Sequence, residues 1–531
     1  MKKIIFGLLA CSLPMIANAQ AAFDALQMSQ SELRGTARSE AMAGAFGALG
    51  GDLSTLVQNP AGVGVYRSSD AGITFNLDFN NTKTPGQASM DKTRFNVSNV
   101  GYVGTVKLNS DVMPYFNFGF SYSRKADLHR HYKGGGSGIP SSVSNYIAGY
   151  TGNYTGKDLG VDDNYNPYYD SQAPWSSILA YNSYIINENN GSWQGLMGDG
   201  TSGYGEYEVD QRGHIDEYSI NIGGNIQNML YWGAAVGITD FDYDNYMYYG
   251  ESLKDAYIYD YVKGDGTIER GAANYGFQNY LSTDGTGYNF KFGVILKPVN
   301  ELRLGLAFHT PTYYDMRDIY SSDASFDMQG SGDNHYYGTN YSSGANSPRS
   351  EVFHYDYHTP WRILASVAGV IGRSGILSFD YEWVGANTMR LGDDNGDEWP
   401  DVTQNIKDYF QAQHTFRVGG EYRVTPNWSL RAGYSYTTSP VKDEVKDDQM
   451  NIMTVSSNPA YEFDKSIQYI TAGFGYRYKS VYFDMAYVHK TRNSVYHAFA
   501  PVVYDGGIEP AVWSEVKDNN NRITATIGFR F

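Results

Sequence analysis

The chain has 531 residues, of which 15% are aromatic and 59 are glycine, and its formal net charge at pH 7 is −17. The aromatic content excludes a disordered chain, and the acidic balance argues against a nucleic-acid-binding protein, which would need a basic face. After the first twenty residues no apolar run is long enough for a membrane-spanning helix, so the α-helical membrane class is excluded as well.

Residues 1–19 have the composition of a secretory signal peptide. Lys2 and Lys3 precede an apolar stretch that ends in the small residues Ala17-Asn18-Ala19, and we expect cleavage after Ala19. The single cysteine, Cys11, leaves with this segment; the alternative is that Cys11 carries a lipid. An exported chain without cysteine has neither disulfides nor a thiolate metal site, and we expect no cofactor.

Residues 20–69 form a predicted hatch that is too short for a domain with its own core. The stretch Ala37–Leu49 is rich in alanine and glycine and predicts a short helix that can pack closely against other backbone. Asp52 is expected to cap a second helix over Leu53–Gln58, and Pro60 takes the residue before it out of helical geometry. The large apolar residues of the first helix are Met42, Phe46 and Leu49.

Short segments of alternating polarity fill the chain from about residue 70 to its end. In the last of them, apolar residues occupy odd positions from Ile523 to Phe531, and polar residues or glycine occupy even positions from Arg522 to Arg530. This is the period of a strand with one apolar and one polar face. The same pattern predicts about fourteen strands, over residues 70–80, 93–107, 114–125, 216–227, 231–243, 284–297, 301–314, 352–371, 374–386, 411–424, 427–438, 464–479, 480–491 and 519–531.

The predicted connections alternate between short turns and long polar loops. The turns lie at 297–300, 372–374, 424–427 and 478–480, and the loops at 126–215, 244–283, 315–350, 387–410, 439–463 and 492–518. An even number of amphipathic strands with turns at one end and loops at the other is typical of a transmembrane antiparallel β-barrel of the outer membrane. A soluble β-propeller or β-sandwich is the alternative, but neither explains the alternation in loop length.

Residues 70–531 are therefore predicted to form a barrel in the outer membrane of a Gram-negative bacterium. Lipid offers no partner to backbone N–H and C=O groups, so the sheet must close on itself. The expected partners are outer-membrane lipid and lipopolysaccharide, together with the barrel-assembly machinery through the C-terminal strand ending in Phe531. Trp361, Trp383 and Trp428 near strand ends suit the interfacial aromatic girdles.

The region before the first strand contains the motif Arg38-Ser39-Glu40-Ala41-Met42-Ala43-Gly44-Ala45-Phe46-Gly47-Ala48, then Asp52 and Asn59-Pro60-Ala61, followed directly by a strand. In these residues it resembles the FadL-type family of outer-membrane transporters for hydrophobic compounds. Supporting segments are Asn427-Trp428-Ser429-Leu430-Arg431-Ala432-Gly433 with Thr438-Ser439-Pro440, and Thr471-Ala472-Gly473-Phe474-Gly475-Tyr476 with Met485-Ala486-Tyr487-Val488-His489.

The resemblance implies a fourteen-stranded barrel plugged by the hatch, through which a hydrophobic ligand enters the lumen and leaves sideways through the wall. The apolar hatch residues are candidates for a chain-binding pocket, although packing against the wall is the alternative. The other hatch candidates are the polar residues Asp52 and Asn59 and the adjacent Pro60. The insertion at 126–215 is larger than the resemblance leads us to expect.

Four arginines on inward-facing positions could hold the head group of a fatty acid-like ligand. They are Arg303, Arg417, Arg431 and Arg477. The alternative is an ion-pair network inside the lumen, because Asp380, Glu382, Glu421 and Asp484 also face inward. We expect no energy coupling, since release of a hydrophobic molecule into the bilayer is favourable by roughly 0.8 kcal/mol per buried methylene.

Weaker patterns point to no enzyme. Residues 393–398, Asp-Asp-Asn-Gly-Asp-Glu, have oxygen ligands at calcium-loop spacing, but the glycine is misplaced for an EF-hand. The histidine pairs 129/131 and 354/358 could bind a metal, although histidines on loops and strand ends are more often bystanders. We therefore predict neither a catalytic group nor a metal site.

Passive uptake of hydrophobic small molecules, fatty acid-like or aromatic, is the predicted function. One alternative is a surface shuttle that serves protein secretion, which large loops such as 126–215 would suit. The other is a general porin for polar solutes.

Overall fold

The computed structural model describes residues 22–189, 191–260, 267–330, 332, 334–342, 351–372, 374–455, 457–504 and 507–531. The predicted signal peptide and Cys11 lie outside these residues. The strands are β1 Asp70–Lys83, β2 Met90–Lys107, β3 Tyr115–Asp127, β4 Arg130–Ser137, β5 Asn187–Asn189, β6 Ser192–Gln194, β7 Ser202–Ile226, β8 Leu230–Tyr259, β9 Ile268–Val299, β10 Leu302–His309, β11 Tyr313–Gln329, β12 His335–Tyr341, β13 Glu351–His358, β14 Arg362–Ile371, β15 Gly375–Gly385, β16 Arg390–Asp393, β17 Ala412–Arg423, β18 Trp428–Thr438, β19 Tyr461–Tyr478, β20 Val481–His497, β21 Val502–Tyr504, β22 Gly507–Glu509 and β23 Trp513–Arg530.

Fourteen antiparallel strands close into a barrel. They follow one another in the order β1, β2, β3, β7, β8, β9, β10, β14, β15, β17, β18, β19, β20 and β23, and β23 pairs back onto β1. The closing ladder is regular over fourteen residue pairs, from Asp70↔Arg530 to Lys83↔Lys517. The predicted fold is confirmed, and we call the two ends of the barrel the turn end and the loop end.

The two faces of the strands carry the predicted polarity. On β23 the inward-facing Arg522, Thr524 and Thr526 are buried, whereas Ile527 and Phe529 are 50% and 46% exposed. Water-soluble proteins bury such apolar rows, so a continuous exposed apolar belt marks a surface that lipid covers.

Two of the predicted loops are strands instead. Strands β8 and β9 run for 30 and 32 residues and pair with each other from Leu230↔Leu296 to Tyr259↔Ile268, so 244–283 is mostly sheet. Most of 315–350 likewise belongs to β11 and β12. The loop prediction was wrong because these extensions lie beyond the apolar belt. Their outer faces carry polar side chains and tyrosine, so they lack the strong alternation of the lipid-facing segments.

The insertion 126–215 holds the helical part of the loop end. Beside the ends of β3 and β7 it contains β4, β5, β6 and four helices. The helices of the chain are α1 Ala22–Met28, α2 Ala37–Ala41, α3 Thr55–Gln58, α4 Val143–Thr151, α5 Gly156–Leu159, α6 Pro167–Asp170, α7 Trp175–Asn182, α8 Pro400–Tyr409 and α9 Asp443–Lys446, with 3-10 turns at Pro60–Val65 and Ala386–Thr388. No helix in the described part of the chain is both long and apolar enough to cross a membrane.

The loop-end half is filled by an apolar core. Helices α4 and α7 pack there on the inner faces of β7, β8, β9 and β11, and many of the buried side chains are aromatic. Tyr207 stacks on Tyr496 with ring centres 4.4 Å apart, and Tyr132 meets Tyr496 edge-on at 6.1 Å. The long strands are therefore the walls of a second packed layer above the membrane.

The hatch lies inside the turn-end half, and its helices are shorter than predicted. Helix α2 ends at Ala41, because Ala43 has a φ of 53° and the N–H of Gly44 bonds back to the carbonyl of Ser39. The second helix begins at Thr55 rather than Leu53. The expected effect of Pro60 is confirmed, since Asn59 has an extended φ of −138°.

Candidate functional site

Wall glycines allow the hatch backbone to touch the inside of the barrel. A Cβ on Gly305 would stand 2.5 Å from the carbonyl oxygen of Gly47, and one on Gly233 would stand 2.1 Å from that of Pro60. Further wall glycines at which a Cβ would stand less than 3.0 Å from a hatch atom are Gly119, Gly223, Gly293, Gly419, Gly433 and Gly473. Together with Gly305 and Gly233 they come from eight of the fourteen strands. Side chains at these positions would push the hatch away, so the glycines allow the hatch to lie directly against the wall at the turn end.

The polar hatch candidates hold the hatch together. The side chain of Asn59 donates from Nδ2 to the carbonyl of Gly47 at 2.6 Å and accepts the N–H of Ala61 at 3.1 Å. Asp52 accepts from the Thr36 hydroxyl at 2.7 Å and from the Ser54 N–H at 3.0 Å. Asp52 thus caps the turn before α3, and both side chains join hatch segments that are distant in sequence.

The apolar hatch candidates pack on the wall. Met42, Phe46 and Leu49 are at most 5% exposed and form one cluster with Ala368 on β14 and Ile376 on β15. They do not line the cavities that the structure describes. Packing, rather than an open chain-binding pocket, is the arrangement present here.

Two of the four candidate arginines lie in ion pairs. Arg431 bonds to Glu421 and to Asp484, each at 2.6 Å. Arg417 pairs with Glu382. The Nη1 atom of Arg417 is buried and has no hydrogen-bond partner among the described residues. Arg417 also lines the larger of the two described cavities. Arg417 therefore keeps donor capacity toward the lumen.

The other two arginines lie at the turn end. Arg303 donates from Nη1 to the carbonyl of Leu49 at 2.5 Å, which fixes the hatch turn before Gly50. Arg477 is exposed at the end of β19. The structure thus separates the four arginines, and only Arg417 reaches the larger cavity.

This cavity, of about 80 Å³, lies between the hatch and strands β14 to β20. Its charged lining comprises Arg362, Arg417, Lys490, Arg492, Glu32, Glu382, Glu462 and Asp464, and its apolar lining includes Leu26, Leu33, Val384 and Ile467. One water needs roughly 10–15 Å³, so the space holds a handful of waters or one small polar group. Sequence reasoning missed residues 26–33, because they precede the family motif and have no periodic pattern.

The wall has a seam between β2 and β3. Their ladder ends at Asn99↔Ser123, yet β2 continues on β1 to Met90. Strand β3 continues on β7 with a bulge after Arg124, and β4 follows on β7. Beyond Asn99, no ladder pair joins β2 to β3 or β4 in the described chain. In the sequence, polar and apolar residues alternate without interruption through the β2 and β3 segments, so this break in the pairing was not predicted.

Charged side chains bridge the seam. Arg94 of β2 bonds to Asp127 of β3 at 2.7 Å. Arg34 of the hatch lies between Asp127 at 3.8 Å and Asp78 of β1 at 3.7 Å, and its side chain is only 3% exposed. Buried ions of this kind are stable only while each keeps its partners.

A backbone contact holds the hatch against the freed edge of β3. The N–H of Glu32 donates to the carbonyl of Lys125 at 2.8 Å. Its carboxylate pairs with Lys490 and, at 2.8 Å, with Arg34. Burial alone would raise the pKa of Glu32, but the charges of Lys490 and Arg34 hold it well below its ordinary value. The hatch therefore occupies the lumen side of the seam with ionised groups.

The weaker metal patterns find local partners. Asp393 accepts the N–H groups of Asn395 at 3.0 Å and Asp397 at 2.9 Å, which is a self-capped turn. His129 bonds to Asp127 at 2.9 Å and His131 to Glu208 at 2.8 Å. No group of three or more metal-ligating side chains occurs among the residues with described positions.

Comparison with known proteins agrees with the fold. Residues 226–481 match the family described as outer membrane protein transport protein (OMPP1/FadL/TodX). A solved FadL homologue of Pseudomonas aeruginosa is 15% identical with a TM-score of 0.51, covering 94% of this chain and 99% of its own. The toluene transporter TodX of P. putida is 12% identical with a TM-score of 0.48 over 94% and 99%. No curated protein matches the chain in sequence.

Proposed function

We propose that this chain is a FadL-type outer-membrane transport protein that passes hydrophobic small molecules passively across the outer membrane. The proposed route enters from the loop end, runs through the lumen and leaves sideways through the wall into the bilayer. The turn end then faces the periplasm.

The observation that carries this proposal is the close fit of the hatch against the wall at the turn end. The hatch meets glycines of eight strands at distances that admit no side chain, which supports a route that does not run straight through the turn end. The β2–β3 seam is the break in the wall where strand edges lack ladder partners, and it supports an exit there. Release of the ligand into lipid is downhill by roughly 0.8 kcal/mol per methylene, so the route needs no energy coupling.

The lining of the lumen cavity favours a ligand with an acidic head group. Arg417 offers its Nη1 donor, and Gln27 offers an unpartnered Nε2 atom at the same cavity. A carboxylate would satisfy both donors, and charge-assisted hydrogen bonds are the stronger kind. A fatty acid-like molecule therefore suits the site better than a bare hydrocarbon.

A chemical lock across the seam tests the exit. The only cysteine lies in the predicted signal peptide, so Arg94→Cys with Asp127→Cys can be joined by a short bismaleimide. The matched control joins Thr491→Cys to Asn519→Cys, which face each other in the unbroken β20–β23 ladder and line neither described cavity. We expect the seam lock to lower decanoate uptake by cells at least tenfold and the control lock to leave it unchanged.

The possible failures of this experiment are distinct. Equal uptake by the locked and unlocked seam variants would contradict the lateral exit and leave transport intact. Failure of the unlocked protein to raise uptake of decanoate or toluene would contradict transport itself.

The two other functions have less support. A general porin needs an open lumen, and liposome swelling with small sugars should be absent while the hatch is seated. A secretion shuttle would depend on the loop-end helices. Deleting residues 138–201 removes these helices but spares β7, and loss of a secreted partner with unchanged decanoate uptake would favour that alternative.

A further inference from the structure

On the outer face of the barrel, the neighbouring strands β20, β23 and β1 change from apolar to polar at one height. The outer row of β23 runs through Ile523, which is 36% exposed, and continues as Asn521 and Asn519. Asn521 lies opposite Phe79 on β1, which is 38% exposed, and opposite His489 on β20. The lipid-covered belt of these strands therefore ends beside Asn521 at the loop end.

Lys83 and Lys517 lie directly opposite each other in the ladder that closes the barrel. Both are exposed, whereas their chain neighbours Thr82 and Asp518 are buried and bond to each other at 2.6 Å. Successive side chains of a strand point to opposite faces, so the inward bond between Thr82 and Asp518 places both lysines on the outer face. On β1 this is the face that carries Phe79.

The lysine pair lies just beyond the apolar belt. Lys83 follows Phe79 by four residues, which at ~3.3 Å per residue and a strand tilt of roughly 40° places it about 10 Å beyond that residue. The head-group layer of a phospholipid leaflet is about 5–8 Å thick, so the lysine level matches a thicker head group. Trp513, the next large exposed apolar residue on β23, is ten residues from Ile523 and lies about 25 Å beyond it, above this layer.

Neither lysine has a counter-ion among the described residues. No ion pair or hydrogen bond described for the chain includes the side chain of Lys83 or Lys517. The outer-face carboxylates at this end of β2 and β23 are engaged, since Asp91 bonds to an asparagine of β1 and Glu515 pairs with Lys465 at 3.0 Å. Like charges directly opposite each other on neighbouring strands are destabilising, so an anion from outside the chain would stabilise this pair.

A layer of amide donors separates the apolar belt from the lysines. The Oδ1 atom of Asn521 accepts from the Tyr487 hydroxyl at 2.6 Å and bonds to Nδ1 of His489 at 2.9 Å. The Oδ1 atom of Asn519 lies 3.5 Å from the Thr491 hydroxyl. The amide oxygens are thus engaged, whereas neither Nδ2 group has an acceptor in the described part of the chain. Each Nδ2 group is a double donor and is available to oxygen atoms of an outside ligand.

Another sector of the wall has the opposite charge beyond the belt. Asp242 on β8 lies opposite Asp284 on β9, and Asp315 on β11 lies opposite Asp356 on β13. Within the described chain, only Asp284 of these four has an ion pair, with Arg317. An anion would be repelled from this sector, so the lysine pair marks one side of the barrel.

We propose that Lys83 and Lys517, together with Asn519 and Asn521, bind a phosphorylated glycolipid of the outer leaflet. The lysines bind the phosphate, and the amide layer binds the sugar ring that separates this phosphate from the acyl chains. A glycerophospholipid fits less well, because its phosphate lies close to its acyl chains and so at the level of the asparagines. The proposal rests on the outward-facing loop end of the proposed function. A lysine at an anionic lipid surface strengthens association by about fivefold at low salt.

The test titrates lipids onto the full-length protein in nonionic detergent at low salt, with native mass spectrometry to count bound lipid. The probes are bisphosphorylated lipid A, the same lipid A without its phosphates, and phosphatidylglycerol. We expect the phosphorylated lipid A to bind at least tenfold more tightly than the other two. Lys83→Gln with Lys517→Gln should remove that advantage. The control, Lys157→Gln with Lys254→Gln, removes the same charge from other exposed loop-end positions and should keep it.

A second variant tests the amide layer. Asn519→Ala should weaken binding of both forms of lipid A by the same severalfold factor, because the sugar contacts do not depend on the phosphates. Binding of phosphatidylglycerol should stay as it is. Unchanged binding of both forms of lipid A would contradict the sugar contact. Heat-modified mobility on gels checks that each variant is folded.

Three results would overturn the proposal. One is an undiminished advantage of phosphorylated lipid A in the lysine variant, and another is an equal loss in the control. The third is phosphatidylglycerol that binds as tightly as lipid A through the same lysines, which would assign the site to any lipid phosphate. Decanoate uptake by the lysine variant should equal that of the wild type. Protease added to intact cells should cut within 138–201, and resistance there would contradict the orientation in the proposed function, separately from the lipid result.

Discussion

The turn-end half and the loop-end half of this barrel are filled by different kinds of contact. In the turn-end half, hatch backbone lies directly against wall glycines such as Gly305 and Gly233. In the loop-end half, side chains such as Tyr132, Tyr207 and Tyr496 form an aromatic core between wall and helices. A hatch of about fifty residues can fill a wide cylinder because the wall carries glycine where the hatch backbone comes closest. Where the chain has enough residues to fill the space, large side chains fill it instead.

The largest expected effect comes from the aromatic core. Tyr496→Ala removes a ring that is 1% exposed and stacks on Tyr207, and truncation of a buried aromatic costs about 3–5 kcal/mol. We expect faster amide exchange in the loop-end parts of β7 and β20, while the hatch exchanges as before. Tyr337→Ala, at a side chain that is 71% exposed, is the control. Equal loosening of the hatch would show that the two halves are one cooperative unit.

The second effect concerns the glycine wall. In Gly305→Val the new Cβ meets the Gly47 carbonyl at 2.5 Å and the Ala48 Cα at 3.0 Å, and overpacking of this kind costs about 1–3 kcal/mol. We expect the hatch to shift and vesicles to swell in small sugars. Gly136→Val is the matched control, because a Cβ at Gly136 has no atom within 4 Å. A sealed Gly305→Val protein would mean that other hatch contacts suffice.

A smaller effect is expected from the Asn59-Pro60 motif, whose loss should weaken the hatch without affecting insertion of the barrel. Asn59→Ala with Pro60→Ala removes the bonds from Asn59 to Gly47 and Ala61, at about 1 kcal/mol each. We expect severalfold lower decanoate uptake with normal membrane insertion, measured by surface proteolysis. Asn164→Ala, at an exposed loop residue, is the control. Normal uptake by the double variant would show that the hatch motif has no role in transport.

The smallest effect is a pH dependence confined to the loop-end half. Glu251 is buried at the start of α4, where it accepts from Ser142 Oγ, the Val143 N–H, and the Tyr249 and Tyr275 hydroxyls. Burial raises its pKa above the ordinary 4.5, although these hydrogen bonds offset part of the shift. Because the folded-state pKa is raised, Glu251 contributes its full share to the stability of the folded state below pH 4.5. This contribution is lost as pH rises through the raised value.

Helix α4 should therefore exchange its amides faster as pH rises from about 4.5, after correction for intrinsic exchange. Glu251→Gln keeps the shape of the side chain and should abolish that dependence. The amides of the hatch serve as the internal reference. An unchanged pH profile in Glu251→Gln would show that another group titrates there.

The sequence predicted the lipid-facing half of the fold well and the loop end poorly. Segments such as 519–531 were found because lipid on one side and water on the other enforce strict alternation. The strands within 244–283 were missed because water covers their outer face and the inner face packs on helices from elsewhere in the chain. Nothing local distinguishes such a strand from a polar loop.

The candidate site was predicted unevenly for a related reason. The alternation of side chains along a strand placed Arg417 and Arg431 on the inward face together with their carboxylate neighbours. The same alternation did not show that Arg477 lies beyond the lumen or that Arg303 donates to a hatch carbonyl. It also gave no indication of residues 26–33, since their position depends on how the hatch enters the barrel.

By itself, the sequence determined that strands alternate, that they are even in number and that a small glycine- and alanine-rich segment precedes them, since these are local properties of chain and solvent. Only the tertiary structure decided where the wall stops pairing, which glycines meet the hatch and which charges face one another across the β2–β3 seam. These depend on contacts between residues that are far apart in the chain, such as Gly47 with Gly305 or Arg34 with Asp127, and no local pattern encodes the distance between them.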